Sequence, residues 1–224
     1  RILFGVECCI LDDEGGLGIS ENTLKNMPLV AAGFHYDTAY KNKGKEVKDF
    51  KVKDFKKYMK EKFNKPGRVY LGVTHRLDRP VSGVVLFTRT SKALTRMNKM
   101  FRVGDIKKTY WAIVKNKPSK HENTLSNYIH KNVKQNKSYC TDIQVKNSKL
   151  AKLKYKLLAS SDNYHLLEID LLTGRHHQIR AQLAAIGSPI KGDLKYGFPR
   201  SNPDGGISLH ARKIAFVHPV TREN

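Results

Sequence analysis

The clearest pattern in the chain is an alternation. In "AKLKYKLL", residues 151–158, Ala151, Leu153, Tyr155 and Leu157 hold one parity and Lys152, Lys154 and Lys156 the other. Successive strand side chains point to opposite faces, so this predicts a half-buried strand with a basic outer face. "VYLGV" (69–73), "VVLF" (84–87), "KKTYWAIV" (107–114), "YHLLEIDLLTG" (164–174) and "ISLHARKIAFVHP" (207–219) predict further strands from their apolar, β-branched and aromatic content. Helical spacing occurs elsewhere. Val47, Phe50, Phe55, Met59 and Phe63 predict an amphipathic helix from about Val47 to Phe63, ended by Pro66 and Gly67. Ala93, Leu94, Met97 and Met100 or Phe101 share one side of a helix within "TSKALTRMNKMF", residues 90–101. "RHHQIRAQLAAIG", residues 175–187, turns to helical spacing and stops at Gly187, a residue suited to the position after a helix. Residues 1–40 carry no clear period. There "RILF" is compatible with a strand start, and "GGLG" is too short and isolated for a dinucleotide loop.

Several strands, few helices and no regular strand–helix alternation indicate an α+β fold on a mainly antiparallel sheet. No linker, low-complexity tract or repeat divides the chain, so residues 1–224 are expected to form a single domain.

Charge then narrows the partners. The 224 residues include 42 Lys+Arg against 20 Asp+Glu, a formal net charge of +22. Such a surface attracts polyanions, and nucleic acid is the leading candidate, ahead of anionic lipid. Cys8, Cys9 and Cys140 cannot all pair and form no C-x-x-C, which points to a reducing, cytoplasmic setting. No apolar run approaches the roughly 20 residues of a membrane span.

Two segments concentrate candidate chemistry. In "THRLDRPVSG" an acid stands between arginines just before an apolar strand. If the segment is extended, Arg76 and Asp78 project to one face while His75, Leu77 and Arg79 project to the other, and Leu77 can anchor inward. Taken alone, such a grouping is an ordinary surface ion pair contributing about 0–1 kcal/mol. In "LLTGRHHQIRAQLAAIG", Arg175, His176, His177, Gln178 and Arg180 crowd the start of the predicted helix. The helix dipole disfavours cations at that end, so the cluster implies an external anion or an acidic partner. Adjacent histidines point apart on a helix and lack a carboxylate at ligand spacing, so no metal site is expected.

The strings "HRLDRPVSGVVLFTRTSKA", "KKTYWAIV", "LTGRHHQIRAQLAAIGSPIKGDLKYG" and "LHARKIAFVHP" resemble, in order and spacing, the motifs of the RluA-type RNA pseudouridine synthases. The resemblance covers about Val69 to Val220. Residues 1–65 are atypical: no Asn-Lys-Pro-x-Gly-like opening segment stands in residues 1–40, and no S4-like appendage is seen in the chain. The resemblance implies a bent, mainly antiparallel mixed sheet flanked by helices. It implies isomerisation of a specific uridine in ribosomal or transfer RNA, with no cofactor and no metal. Asp78 looks like the catalytic aspartate, Tyr110 like the aromatic residue that packs on the target base, and Arg180 like the basic partner of the aspartate. Arg76 is similar to the arginine that enters the RNA stack when the uridine is flipped out.

Arg79, Lys107, Lys108, Arg175, His177 and Gln178 are further candidates for RNA contact, as is the basic face of the 151–158 strand. The chemistry is consistent with these roles. Breaking a glycosidic bond and rejoining the base through carbon needs an ionised carboxylate beside the sugar, and a nearby Arg keeps a partly buried carboxylate charged. Two other readings use the same residues: a non-catalytic RNA-binding protein of the same fold, and a base-excising glycosylase.

Overall fold

The computed structural model describes residues 8–11, 40–42, 45–47, 56–57, 60–61, 64 and 66–220. They belong to two compact units, one of residues 1–106 with 215–224 and one of residues 107–214.

In the first unit the strands are β1 (Cys8–Leu11), β2 (Tyr40–Asn42), β3 (Lys45–Val47), β4 (Gly72–Val73), β5 (Ser82–Gly83) and β6 (Val85–Thr88). The last is the most deeply buried: Val85, Leu86, Phe87 and Thr88 are at most 1 % exposed. It pairs in parallel with β1, from Cys8 opposite Val85 to Leu11 opposite Thr88. On its other edge it meets β4 antiparallel. The atypical leading segment therefore does supply a strand to this small sheet. At Gly72 a Cβ would collide with the Thr88 hydroxyl, so glycine permits the close approach of β4 to β6.

The hairpin of β2 and β3 sets Val47 opposite Tyr40, which corrects the expected helix start at Val47. Lys56, Lys57, Lys60 and Glu61 are helical, and the rest of that expected helix lies outside the described residues, as do "RILF" and "GGLG". The helix expected at 90–101 is α1, Ser91–Val103. Thr90 caps it by accepting from the Ala93 N–H at 3.1 Å, and Gly104, at φ +87°, closes it with an N–H donated to Met100. Ala93 and Met97 turn inward.

The second unit holds β7 (Lys107–Val114), β8 (Glu122–Asn132), β9 (Lys137–Thr141), β10 (Lys149–Ser160), β11 (His165–Leu171), helix α2 (Gln178–Ala185), a 3-10 turn (Leu194–Tyr196) and β12 (Leu209–Ala215). Its strands run in the order β12-β7-β11-β10-β8-β9. The pairings of β7 with β11, β11 with β10, β10 with β8 and β8 with β9 are all antiparallel. The architecture is α+β, as the strand and helix patterns indicate. The hairpin of β8 and β9 has no counterpart among the sequence-based expectations.

One face of this sheet is the core. Ala151, Leu153, Tyr155, Leu157, Leu167, Ile169, Ala112 and Val114 are all at most 6 % exposed. Burying each of the larger ones stabilises the unit by about 1.5–3 kcal/mol. The alternation read from "AKLKYKLL" holds until Leu157, where the pairing with β11 shifts register, and Leu158 is left on the surface.

The opposite face differs from the uniformly basic one expected. Lys154 stands opposite Asp170, Lys156 opposite Glu168 and Glu122, and Lys154 forms an ion pair with Glu122. Acids on both neighbouring strands alternate with the lysines. This is a mixed-charge face.

Helix α2 ends in a Schellman arrangement. The Gly187 N–H donates to Ala184 and the Ser188 N–H to Leu183, with Gly187 at φ +76°, as its position in the sequence suggests. Among the described residues no helix is long and apolar enough to cross a membrane.

Candidate functional site

In the first unit, the Asp-bearing loop is fastened to the buried strand by side chains. Thr74 Oγ1 donates to the carbonyl of Leu86 at 2.6 Å, and the Leu86 N–H donates to His75 Nε2 at 3.0 Å. His75 thus keeps its proton on Nδ1, and its ring lies 4.9 Å from that of Phe101. Leu77 and Val81 are buried at 9 % and 3 % exposure. The Val81 N–H closes a turn on the Asp78 carbonyl at 3.0 Å. Between these anchors Asp78 is half-buried, while Arg76 is exposed. Two side chains pair with the backbone of β6, two apolar residues sink into the core, and the carboxylate is carried by a rigid loop. Arg79 departs from the expected alternation because it falls in the turn, and it too is exposed.

In the second unit, Tyr110 lies on β7 opposite Ile169 and is 8 % exposed. Lys108 shares its strand parity and face. Lys108 is half-buried, and burial pushes its ammonium pKa down; Lys107 is exposed. Gly174 adjoins Lys108, since a Cβ built there would come 3.5 Å from Nζ.

The segment 173–180 is more ordered than a helix start. The helix begins only at Gln178, and His177 takes the left-handed conformation at φ 51°. Gln178 braces the turn: its Oε1 accepts from Thr173 Oγ1 at 2.8 Å and from the Arg175 N–H at 3.0 Å. Its Nε2 donates to the Lys152 carbonyl at 3.0 Å. Gln178, a candidate for RNA contact, has its amide engaged inside the protein. Arg175 is exposed, with Nε donating to the Leu150 carbonyl at 2.9 Å.

Arg180 is 4 % exposed. Its Nε and Nη2 donate to the two carboxylate oxygens of Asp193 at 2.7 and 2.8 Å, and Asp193 is itself 1 % exposed. The guanidinium carbon lies 5.0 Å from the centre of the Tyr196 ring. Asp193 and Tyr196 follow Gly192, whose φ of +87° and contact with the Asn202 side chain leave no room for a Cβ. Both residues stand in the quoted "GDLKYG", yet residue spacing alone did not mark them. The available signal was charge: Asp193 is the only acid between Asp170 and Asp204, so a buried Arg180 had one acidic candidate in that stretch.

Tyr196 also locks the β8–β9 hairpin to this turn. Its hydroxyl oxygen accepts from the Ser138 N–H at 2.8 Å, and the same hydroxyl hydrogen-bonds His177 Nδ1 at 3.0 Å. His177, a candidate for RNA contact, is 8 % exposed. The rings of His176 and His177 stack at 3.8 Å, and His176 Nδ1 meets Ser138 Oγ at 2.8 Å. Burial lowers the His177 pKa to about 3, with Arg180, His176, Lys195 and Lys131 adding repulsion.

The sign of the resulting pH effect follows from linkage. An unfolded histidine takes up a proton near pH 6.5, whereas the folded one refuses it until about 3. The stability from neutral His177 is full above pH 6.5 and drains as pH falls, by up to about 1.4 kcal/mol per unit. His177→Asn tolerates the left-handed backbone and does not titrate. Urea unfolding at pH 7 and pH 5 should show the wild type losing about 2 kcal/mol more than this variant. Equal losses would refute the assignment.

Among the described residues no three His, Cys, Asp or Glu side chains group as metal ligands.

Residues 35–185 match the family model for RNA pseudouridylate synthase. The chain belongs to that family. Among curated relatives, the ribosomal large subunit pseudouridine synthase C of Rickettsia conorii is 36% identical over 150 residues, covering 66% of this chain and 49% of that protein. The uncharacterized RNA pseudouridine synthase YhcT of Bacillus subtilis is 34% identical over 152 residues, again 66% and 49%. The chain thus spans about half the length of these curated relatives. The solved human RNA Pseudouridylate Synthase Domain Containing 4 superposes with a TM-score of 0.64 at 21% identity, over 81% of this chain and 78% of that one. This likeness shows the fold.

Proposed function

We propose that the chain is a single catalytic domain that isomerises a specific uridine in ribosomal or transfer RNA to pseudouridine. The observation that carries this reading is the half-buried Asp78 on a loop fastened to β6 by Thr74 and His75, in a chain of the pseudouridylate synthase family. Asp78 is the catalytic carboxylate, acting as nucleophile at C1′ or as base at C2′. The N1–C1′ bond breaks, the uracil turns while bound, and a C5–C1′ bond forms; C5 gives up its proton and N1 gains one. Nothing is oxidised, and neither cofactor nor metal takes part.

Arg180 keeps Asp78 ionised. Its guanidinium has five N–H donors, of which Asp193 engages two. Tyr110 stacks on the extruded base. Arg76, exposed beside Asp78, fills the gap left in the RNA stack and offsets part of an unstacking cost of a few kcal/mol. Lys107, Lys108, Arg79 and Arg175 hold phosphates. His177 and Gln178 shape the turn that carries Arg175 and Arg180. Names such as that of the Rickettsia relative favour ribosomal RNA, met in the cytoplasm.

The test is release of tritium from C5-labelled uridine in ribosomal RNA transcripts incubated with the purified chain. Release of tritium to water with no free uracil supports isomerisation. Free uracil would instead show a glycosylase, and no release at all would leave an RNA-binding protein.

A further inference from the structure

We infer that the solvent face of α1 and the cleft beside it form a second RNA site, which takes one unpaired nucleotide of the bound strand away from the modified uridine. The inference rests on RNA being the substrate. Helix α1 contains no acidic residue, and Lys92, Arg96, Lys99 and Arg102 are all exposed. Steps of four, three and three residues keep them on one side, opposite the buried Ala93 and Met97. They span about 15 Å, enough to face several phosphates of one strand.

Alongside lies a cleft of about 560 Å³ lined by Arg96, Lys99, Met100, Asp105, Val217 and Pro219, all in the first unit. This volume falls within the usual range for small-ligand pockets, roughly 300–1,000 Å³. Its chemistry is that of a nucleotide rather than of a bare anion. Arg96 and Lys99 stand at its rim for a phosphate, and Met100, Val217 and Pro219 offer apolar contact to a base. Asp105 would repel a phosphate but accepts a hydrogen bond from a base N–H. A duplex hides those base groups, so an unpaired nucleotide is the occupant.

The test measures fluorescence anisotropy of a fluorescein-labelled 20-nucleotide oligouridine and of a 20-base-pair RNA duplex against the full chain. Arg96→Gln with Lys99→Gln should weaken oligouridine binding about tenfold or more. It should also lower the slope of log K against log salt by about 1.4, the release from two phosphate contacts on a single strand. Val217→Asp should weaken oligouridine but not duplex. As a control, Lys115→Gln with Lys117→Gln, exposed residues outside the cleft, should change neither.

Tritium release at saturating RNA should stay at the wild-type rate in the Arg96/Lys99 pair. If the wild type releases none, the proposed reaction fails while the binding comparison still decides this site. Equal losses in the test and control pairs, or an unaltered oligouridine affinity, would overturn the site. So would loss of binding to phosphatidylserine vesicles with RNA binding intact.

Discussion

Asp78→Asn is expected to lower pseudouridine formation by about a thousandfold or more, with RNA affinity changed by less than about threefold. The amide keeps the size and shape of the carboxyl group but can neither attack C1′ nor take a proton from C2′. The loop itself should not move. Its anchors include Thr74 and His75 on the Leu86 backbone and the buried Leu77 and Val81, all of which the substitution leaves in place. Thermal unfolding of the variant should therefore match the wild type. A variant that folds, binds RNA and still releases tritium at a comparable rate would remove Asp78 from the chemistry. His75→Ala would unfasten the loop without touching the carboxylate. An intermediate loss of kcat in that variant, at similar KM, would identify His75 as a positioning residue.

The elements legible in the sequence were those whose side-chain period matches a single burial boundary. "AKLKYKLL" alternates because one face of β10 is core and the other is water. "TSKALTRMNKMF" repeats apolar residues at helical spacing because Ala93 and Met97 of α1 turn inward. The β8–β9 hairpin was not legible because its core face is interrupted by polar residues with specific partners. Asn127 there accepts from Gln182 at 3.0 Å, and Ser138 meets both Tyr196 and His176. Such residues read as surface until their partners, tens of positions away, are known.

The same holds for the candidate site. Asp78, Tyr110 and Arg180 stood out through motif resemblance, with the local reason visible only for Asp78. The expected helix start at Arg175 extends the helix backward over a turn, since helix α2 begins at Gln178. A left-handed residue at 177 lets the Gln178 amide close that turn internally. The acids facing the lysines of β10 were not legible, because cross-strand neighbours are invisible to a single-strand pattern.

Asp193→Ala is expected to destabilise the protein by about 3–5 kcal/mol, because it leaves the guanidinium of Arg180 charged, buried and without its bidentate partner. Asp193→Asn, which retains one acceptor oxygen, should cost less but still lower kcat, since Arg180 would no longer be held in one orientation. The comparison that separates structure from positioning is the double replacement Arg180→Met with Asp193→Leu. Removing both charges ends the desolvation penalty, so stability should recover well beyond that of Asp193→Ala while activity stays absent. Denaturant midpoints and tritium release on the four proteins provide both readouts. An Asp193→Ala variant destabilised by less than about 1 kcal/mol would mean that Arg180 holds its place without Asp193, and Asp193 would lose its positioning role. If Asp193→Asn kept full kcat, Arg180 would be shown to need charge alone, not a fixed orientation, for its proposed role.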